Sequence, residues 1–143
     1  MPQSGYSLGR DVALDIVTAD GVLRPSEIVS FNSKPKINKE EVTALNGNTD
    51  ELLIPKGWEG EIEVARKDAT LDSYWAAWED NYYNGIDNGK STITETITES
   101  DGTTTVWRYQ SVQLSLTDAG KREGDKKITQ TMNWTARRRI QVA

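Results

Sequence analysis

Enzymatic chemistry near neutral pH needs side chains that exchange protons, attack electrophiles or hold metals, and this sequence withholds most of them. It contains no histidine and no cysteine. That excludes Cys/His zinc sites, Ser-His-Asp and Cys-His nucleophilic machinery, disulfides and a histidine pH switch. The stretch Gly85-Ile86-Asp87-Asn88-Gly89-Lys90-Ser91 hints at a phosphate loop. It has one residue too few between its glycines, and it runs from a helix pattern into a strand pattern, the reverse of the order required. Carboxylates are plentiful, but no pair is singled out by context for glycoside hydrolysis. Asp118 to Asp125 lacks the regular oxygen spacing of a calcium loop. No enzyme activity, cofactor or metal is expected.

Arg137-Arg138-Arg139 is the one basic cluster. In a strand its side chains alternate between faces, so it does not form one patch. Arg137 and Arg139 are expected to meet Glu40, Glu41, Asp50 or Glu51 of a neighbouring copy, or to be solvated. Seventeen basic against twenty-two acidic residues give a net charge of −5, which argues against a general nucleic-acid binder. A chain of 143 residues fits one domain spanning residues 1–143, and with 36 % apolar content its core is modest. No apolar run is long enough for a signal peptide or a membrane span, so the expectation is a soluble protein without a membrane anchor, folded in a cytoplasm.

The elements follow from periodicity. Thr70 to Gly85 reads as the one substantial helix, with its body over about residues 70–83. Leu71, Tyr74, Trp75, Trp78 and Tyr82 share a face at spacings of three, four and seven, and are expected to face the core. Thr70 or Asp68 can cap its first turn, and Asn84-Gly85 supplies a left-handed stop. Met1 to Gly9 is a polar arm, expected to be flexible. A first strand from Val12 ends at Asp20-Gly21, and Arg24-Pro25-Ser26 connects it to a second strand, Glu27 to Phe31. That strand continues irregularly through Lys34 to Ile37. Trp58 to Arg66 is a third strand, running into the helix. Ser91 to Glu99 and Thr103 to Thr117 form a hairpin about Asp101-Gly102, and Lys126 to Ile140 is the last strand. The apolar phase of Thr103 to Thr117 slips near Gln110-Ser111, which predicts a bulge or sharp bend. Six or seven antiparallel strands with one flanking helix make a mainly β barrel or sandwich.

Two features are unusual. About residues 39–57, Asn46-Gly47 marks a tight turn between two apolar runs, which predicts a long protruding hairpin. Leu45, Asn46, Gly47, Asp50, Glu51, Leu52, Leu53, Ile54 and Pro55 lie on it, and its leucines are expected to dock on another subunit; a loop folded back on its own domain is the alternative. Second, three strands each carry one face of small uncharged groups: Thr92, Thr94, Thr96 and Thr98; Ser111, Gln113 and Ser115; Thr129, Thr131, Asn133 and Thr135. If neighbours, they form a smooth hydrophilic surface without basic residues, suited to passing a polyanion without binding it. Taken alone, such faces are better explained by the high β propensity of threonine, which lines exposed strands generally.

Pro35-Lys36, the loop Leu45-Asn46-Gly47 with Leu52-Leu53-Ile54-Pro55, and Gly57-Trp58-Glu59-Gly60 leading a strand into an aromatic helix together resemble the tail tube proteins of tailed bacteriophages. Contractile-tailed phages are the nearer match. The hairpin around Ser100-Asp101-Gly102 and the closing strand Thr129 to Arg137 fit the same plan. The resemblance implies a β-barrel or sandwich with a flanking helix, six copies closing into a ring, and rings stacking into a hollow tube that delivers DNA. It implies contacts with sheath, baseplate or initiator, and terminator proteins. It also implies a place in the virion tail after assembly in the host cytoplasm, with the three uncharged faces lining the lumen. A phage-derived injection apparatus is one alternative. A monomeric β-sandwich binding module is another, and it predicts Trp58, Trp107 or Trp134 exposed in a groove.

Overall fold

The computed structural model describes residues 4–6, 8–19, 21–23 and 28–142. Parts of the expected arm and first connection (Met1 to Gln3, Ser7, Asp20 and Arg24 to Glu27) lie outside them. A short 3-10 turn, Gly9–Asp11, leads into β1 (Val12–Thr18), followed by β2 (Gly21–Leu23), β3 (Ile28–Phe31), β4 (Lys34–Thr43), β5 (Thr49–Ala65), α1 (Thr70–Tyr83), β6 (Ser91–Thr98), β7 (Thr104–Asp118), β8 (Thr129–Ala136) and β9 (Arg138–Gln141). All pairings are antiparallel, in the order β2-β1-β6-β7-β8-β5-β3, with β4 on β5 and β9 on β7. The sheet curls into a half-barrel.

The curl follows from β7, which serves both halves of the sheet. Its first part pairs with β6 and β9, and its second part with β8. The expected bulge is there: the register slips opposite Ser91 and Ile93, and Ser111 sits at φ 53°, a left-handed value unusual outside glycine. Inward residues accordingly change phase from Tyr109 to Val112 and Leu114. The single last strand expected from sequence is instead two, parted at Arg137, whose N–H donates to the Gln110 carbonyl (2.9 Å). This bend matches the bulge on β7 and keeps the pair in register.

The concave side holds the core: Ile16, Ile62, Val64, Leu71, Ile93, Tyr109, Val112, Leu114, Met132, Trp134 and Ala136, among others. Phe31 stacks on Trp134 (5.5 Å between ring centres, 1° between planes), and Tyr109 meets both edge-on. Aromatic side chains thus fill the curl where aliphatic content is low.

The helix keeps its expected bounds. Neither expected residue holds the N-cap: Ala69 does, without a side-chain cap, and Asp68 just before it accepts through Oδ1 from the N–H and the hydroxyl of Thr70 (3.1 and 2.6 Å). At the far end Gly85 (φ 73°) donates to Tyr82 and Ile86 to Asn81, a Schellman closure. The N-terminus is tied to the sheet by Asp72, which accepts from Arg66 Nε (2.9 Å) and from Nε2 of buried Gln130 (2.8 Å). The expectation that the aromatic stripe faces the core needs correction. Leu71 is buried and Tyr74 packs on the core, but Trp75 and Trp78 are half-buried and Tyr82 is 65 % exposed. Leu71 and Tyr74 make the helix's contacts with the buried core, and Trp78 lies beside Thr18 and Ser91. Trp75, Trp78 and Tyr82 instead stack on one another (4.6 and 5.9 Å, planes within 10°).

Candidate functional site

The long hairpin exists and is longer than its sequence limits. Strand β4 pairs with β5 from Lys34↔Glu59 out to Thr43↔Thr49. Its tip is a three-residue loop closed by Ala44 N–H to Asn48 carbonyl (2.8 Å), with Gly47 at φ 89° in the position that needs a left-handed residue. At its root the register shifts between Lys36 and Ile37, opposite Gly57 at φ 114°. Beyond that point the ribbon projects about 25 Å.

Its side chains are almost all in solvent. Ile37, Val42, Leu45, Leu52 and Leu53 are exposed, and Leu45 is completely so. Neighbouring residues of a strand point to opposite faces, so Leu52 and Leu53 are not one patch. Val42, Leu52 and Ile54 share a face with Asn38, Glu40 and Asp50, whereas Ile37, Leu53 and Pro55 share the other with Lys39, Glu41 and Glu51. Asn46 and Gly47 form the turn. A two-stranded ribbon exposed on both faces gains little stability from itself.

The convex side carries the polar strand faces, and β6, β7 and β8 are neighbours as the sequence reading required. Gln113 pairs with Thr135 and Ser115 with Asn133. The surface is not uncharged, however. Strand β5 adds Glu59 beside Thr135, Glu61 beside Asn133 and Glu63 beside Thr131, so that side is acidic. Nor is it free of basic residues. Asp15, Thr94, Arg108 and Ile140 form one row across four strands, and Arg138 lies beside Gln110 in the next row on the same face. Thr92, Thr96 and Thr98 continue the β6 face, Ser111 sits at the bulge, and Thr129 opens β8. These rows join residues distant in sequence, which strand periodicity alone does not pair.

Sequence reasoning missed the cluster on the concave side. Arg139 does not reach outward to a neighbour's carboxylates. It belongs to the inward row Ile16-Ile93-Tyr109-Arg139, and its guanidinium lies over Trp107 (3.7 Å to the ring centre) and Trp58 (4.7 Å). Such stacking stabilises a weakly hydrated guanidinium. Glu95 is 8 % exposed, and the Tyr109 hydroxyl donates to its Oε1 over 3.4 Å. Burial pushes the Glu95 carboxyl above the usual range, and the attraction of Arg139 and the Tyr109 hydrogen bond only partly offset this. A signal existed: Glu95 is the one charged residue among the inward positions of an otherwise alternating strand. Trp134 is 1 % exposed, and Trp58 and Trp107 are half-buried around Arg139.

No group of metal-ligating side chains capable of holding an ion occurs among the described residues. Among the same residues no helix is long and apolar enough to cross a membrane.

No protein-family model matches the chain, and no curated protein matches it in sequence. Its fold, in contrast, matches solved structures along nearly its whole length. A chain of the sheath–tube complex of an extracellular contractile injection system, in its extended state, aligns with TM-score 0.58 at 14 % identity, over 91 % of this chain and 88 % of that one. A chain of the anti-feeding prophage tube-terminating cap aligns with TM-score 0.65 at 11 % identity, over 99 % and 94 %. A chain from the six-fold symmetric tail of a gene transfer agent particle aligns with TM-score 0.56 at 11 % identity, over 96 % and 100 %. The fold is therefore the one found in tube and terminator assemblies of contractile injection systems and phage-like tails. This agrees with the resemblance carried by the hairpin and helix motifs.

Proposed function

We propose that this chain is a non-enzymatic structural subunit of a tail tube. Six copies close into a ring, and rings stack into a hollow tube through which DNA is delivered. The observation that carries this reading is the β4–β5 ribbon, which leaves apolar side chains exposed on both faces among the described residues. Ring closure also covers long free strand edges that invite aggregation in a monomer. The hairpin residues Leu45 to Gly47 and Asp50 to Pro55 make the contacts between subunits and rings. The convex face bearing Gln113, Ser115, Thr131, Asn133 and Thr135, with Glu59 and Glu61 beside them, lines the lumen. Carboxylates there repel passing phosphates and so keep DNA from sticking.

Sheath, baseplate or initiator, and terminator proteins are the expected partners, and the virion tail is the expected location after assembly in the host cytoplasm. A second reading, a tube subunit of a phage-derived contractile injection apparatus, is favoured by fold similarity to chains of such systems. The binding-module reading is weakened, because Trp134 is buried and Arg139 occupies the faces of Trp58 and Trp107. Negative-stain electron microscopy across a protein concentration series, with light scattering, tests the proposal. Rings or hollow tubes are expected, and a monomer at every concentration contradicts it.

A further inference from the structure

The convex face has a basic, partly apolar half that the lumen reading leaves unused. Where β7 pairs with β9, its outward rows run Gln110 with Arg138 and Arg108 with Ile140. Val142, whose N–H donates to the Val106 carbonyl (2.8 Å), forms the next row with Val106. Arg108 and Arg138 are exposed, Val106 and Ile140 are half-buried, and Val142 is 45 % exposed. Across β6 these rows carry only threonines. The one carboxylate on them is Asp15 of β1, two strands away from Arg108. Neither arginine has an ion-pair partner among the described residues. We propose that this patch receives the β4–β5 hairpin of a second copy, laid down on the hairpin face that carries Glu40 and Asp50.

The charges on the hairpin point to this occupant and to one of its two faces. That face holds the cross-strand pairs Glu40–Leu52 and Val42–Asp50, with Asn38–Ile54 nearer the body. Its one cation, Lys36, stands at the root beside Gly57. Two carboxylates, diagonal neighbours, thus alternate with Leu52 and Val42. The patch has the same pattern with the sign reversed, since Arg108 and Arg138 are diagonal neighbours alternating with Ile140 and Gln110. Diagonal neighbours on an antiparallel pair lie about 7–8 Å apart, so both carboxylates can meet both guanidiniums at once. The other hairpin face fits worse. There Glu41 and Glu51 lie directly opposite each other, and Lys39 in the next row would face a guanidinium. Glu40 and Asp50 also lack ion-pair partners among the described residues, so docking breaks no pair within the subunit. Leu52 and Val42, exposed in the subunit, are covered against Ile140 and Val142 in the same step. Apolar burial supplies affinity and the charges fix the register. The inference rests on the reading of the hairpin as a contact between copies and names its receptor.

Charge reversal tests the pairing. One variant carries Arg108→Glu with Arg138→Glu on the patch, and another carries Glu40→Arg with Asp50→Arg on the hairpin. All four side chains are exposed, so the urea midpoint of each variant is expected to stay near that of the wild type. Each variant is expected to raise the concentration needed for assembly about tenfold. A chain carrying all four replacements is expected to assemble near the wild-type concentration. A patch variant that assembles like the wild type, or a four-fold variant that regains nothing, overturns the patch as receptor and leaves the tube reading standing. A wild-type chain that is monomeric at every concentration overturns both. A second arm changes no charge and uses the absence of native cysteine. Leu52→Cys with Val142→Cys, assembled and treated with a short bismaleimide, is expected to give a ladder of covalent dimers, trimers and longer chains on denaturing gels. Leu53→Cys with Val142→Cys, whose hairpin thiol lies on the opposite face, is expected to give little. Assembled particles without the first ladder, or equal ladders from both variants, overturn the assignment.

Discussion

Replacing Gly60 with alanine probes the packing on which the hairpin root depends. A methyl at that position meets the carbonyl oxygen of Asn32 at an impossible separation and Trp134 Cζ2 at 2.8 Å. Asn32 is not free to yield. Its N–H donates to the Glu61 carbonyl (3.0 Å), and its Oδ1 accepts from the Glu61 N–H (2.8 Å), so it grips β5 just where the chain passes from β3 to β4. Displacing it weakens two hydrogen bonds, each contributing about 1 kcal/mol net, and disturbs the Phe31–Trp134 stack. Overpacking adds about 1–3 kcal/mol. The expected loss is about 3–5 kcal/mol, a large share of the 5–15 kcal/mol stability typical of a domain. Urea unfolding followed by tryptophan fluorescence measures it. Gly124→Ala, where an added methyl meets nothing within 4 Å, serves as the neutral control. A Gly60→Ala variant within about 0.5 kcal/mol of wild type refutes the reasoning about the Asn32 grip.

Three further outcomes are expected. Leu52→Ser with Leu53→Ser leaves the unfolding midpoint nearly unchanged, since both side chains are exposed, yet blocks stacking into tubes; normal tubes contradict the role given to the hairpin. Asp72→Ala removes the acceptor shared by Arg66 and Gln130, lowering stability by about 1–3 kcal/mol and fraying the start of α1, read by hydrogen exchange; unaltered protection contradicts the anchor. Glu95→Gln alters the pH dependence of stability. The folded carboxyl titrates above its ordinary value of 4.5, so the folded state holds the proton longer than the unfolded one. Its ionisation penalty is absent below the ordinary value and grows as pH rises through the raised one. The variant's stability relative to wild type should therefore rise with pH across that window, and a pH-independent difference refutes the assignment.

Local signals carried much of the fold. The helix limits, the Asn46-Gly47 turn, the Asp101-Gly102 turn and the slip at Gln110-Ser111 are all properties of a few consecutive residues, and each was legible. What the chain hid were relations across strands. Alternation assigns Glu59, Glu61 and Glu63 to one face of β5, but only the register with β8 puts them beside the threonine rows. In the same way, alternation splits the arginine triplet without saying which member turns inward, and Arg139 does because Trp58 and Trp107 offer it ring faces. The helix stripe misled for a different reason. Apolar periodicity requires a partner for the face, and rings that stack on each other meet part of that demand without a core.

The central claim is assembly, and the most direct measurement is negative-stain electron microscopy of the purified chain over a range of concentrations. The account predicts six-fold rings and, at higher concentration, hollow tubes whose images average to a repeating stack. Uniform small particles that light scattering also finds monomeric at the highest concentration contradict it.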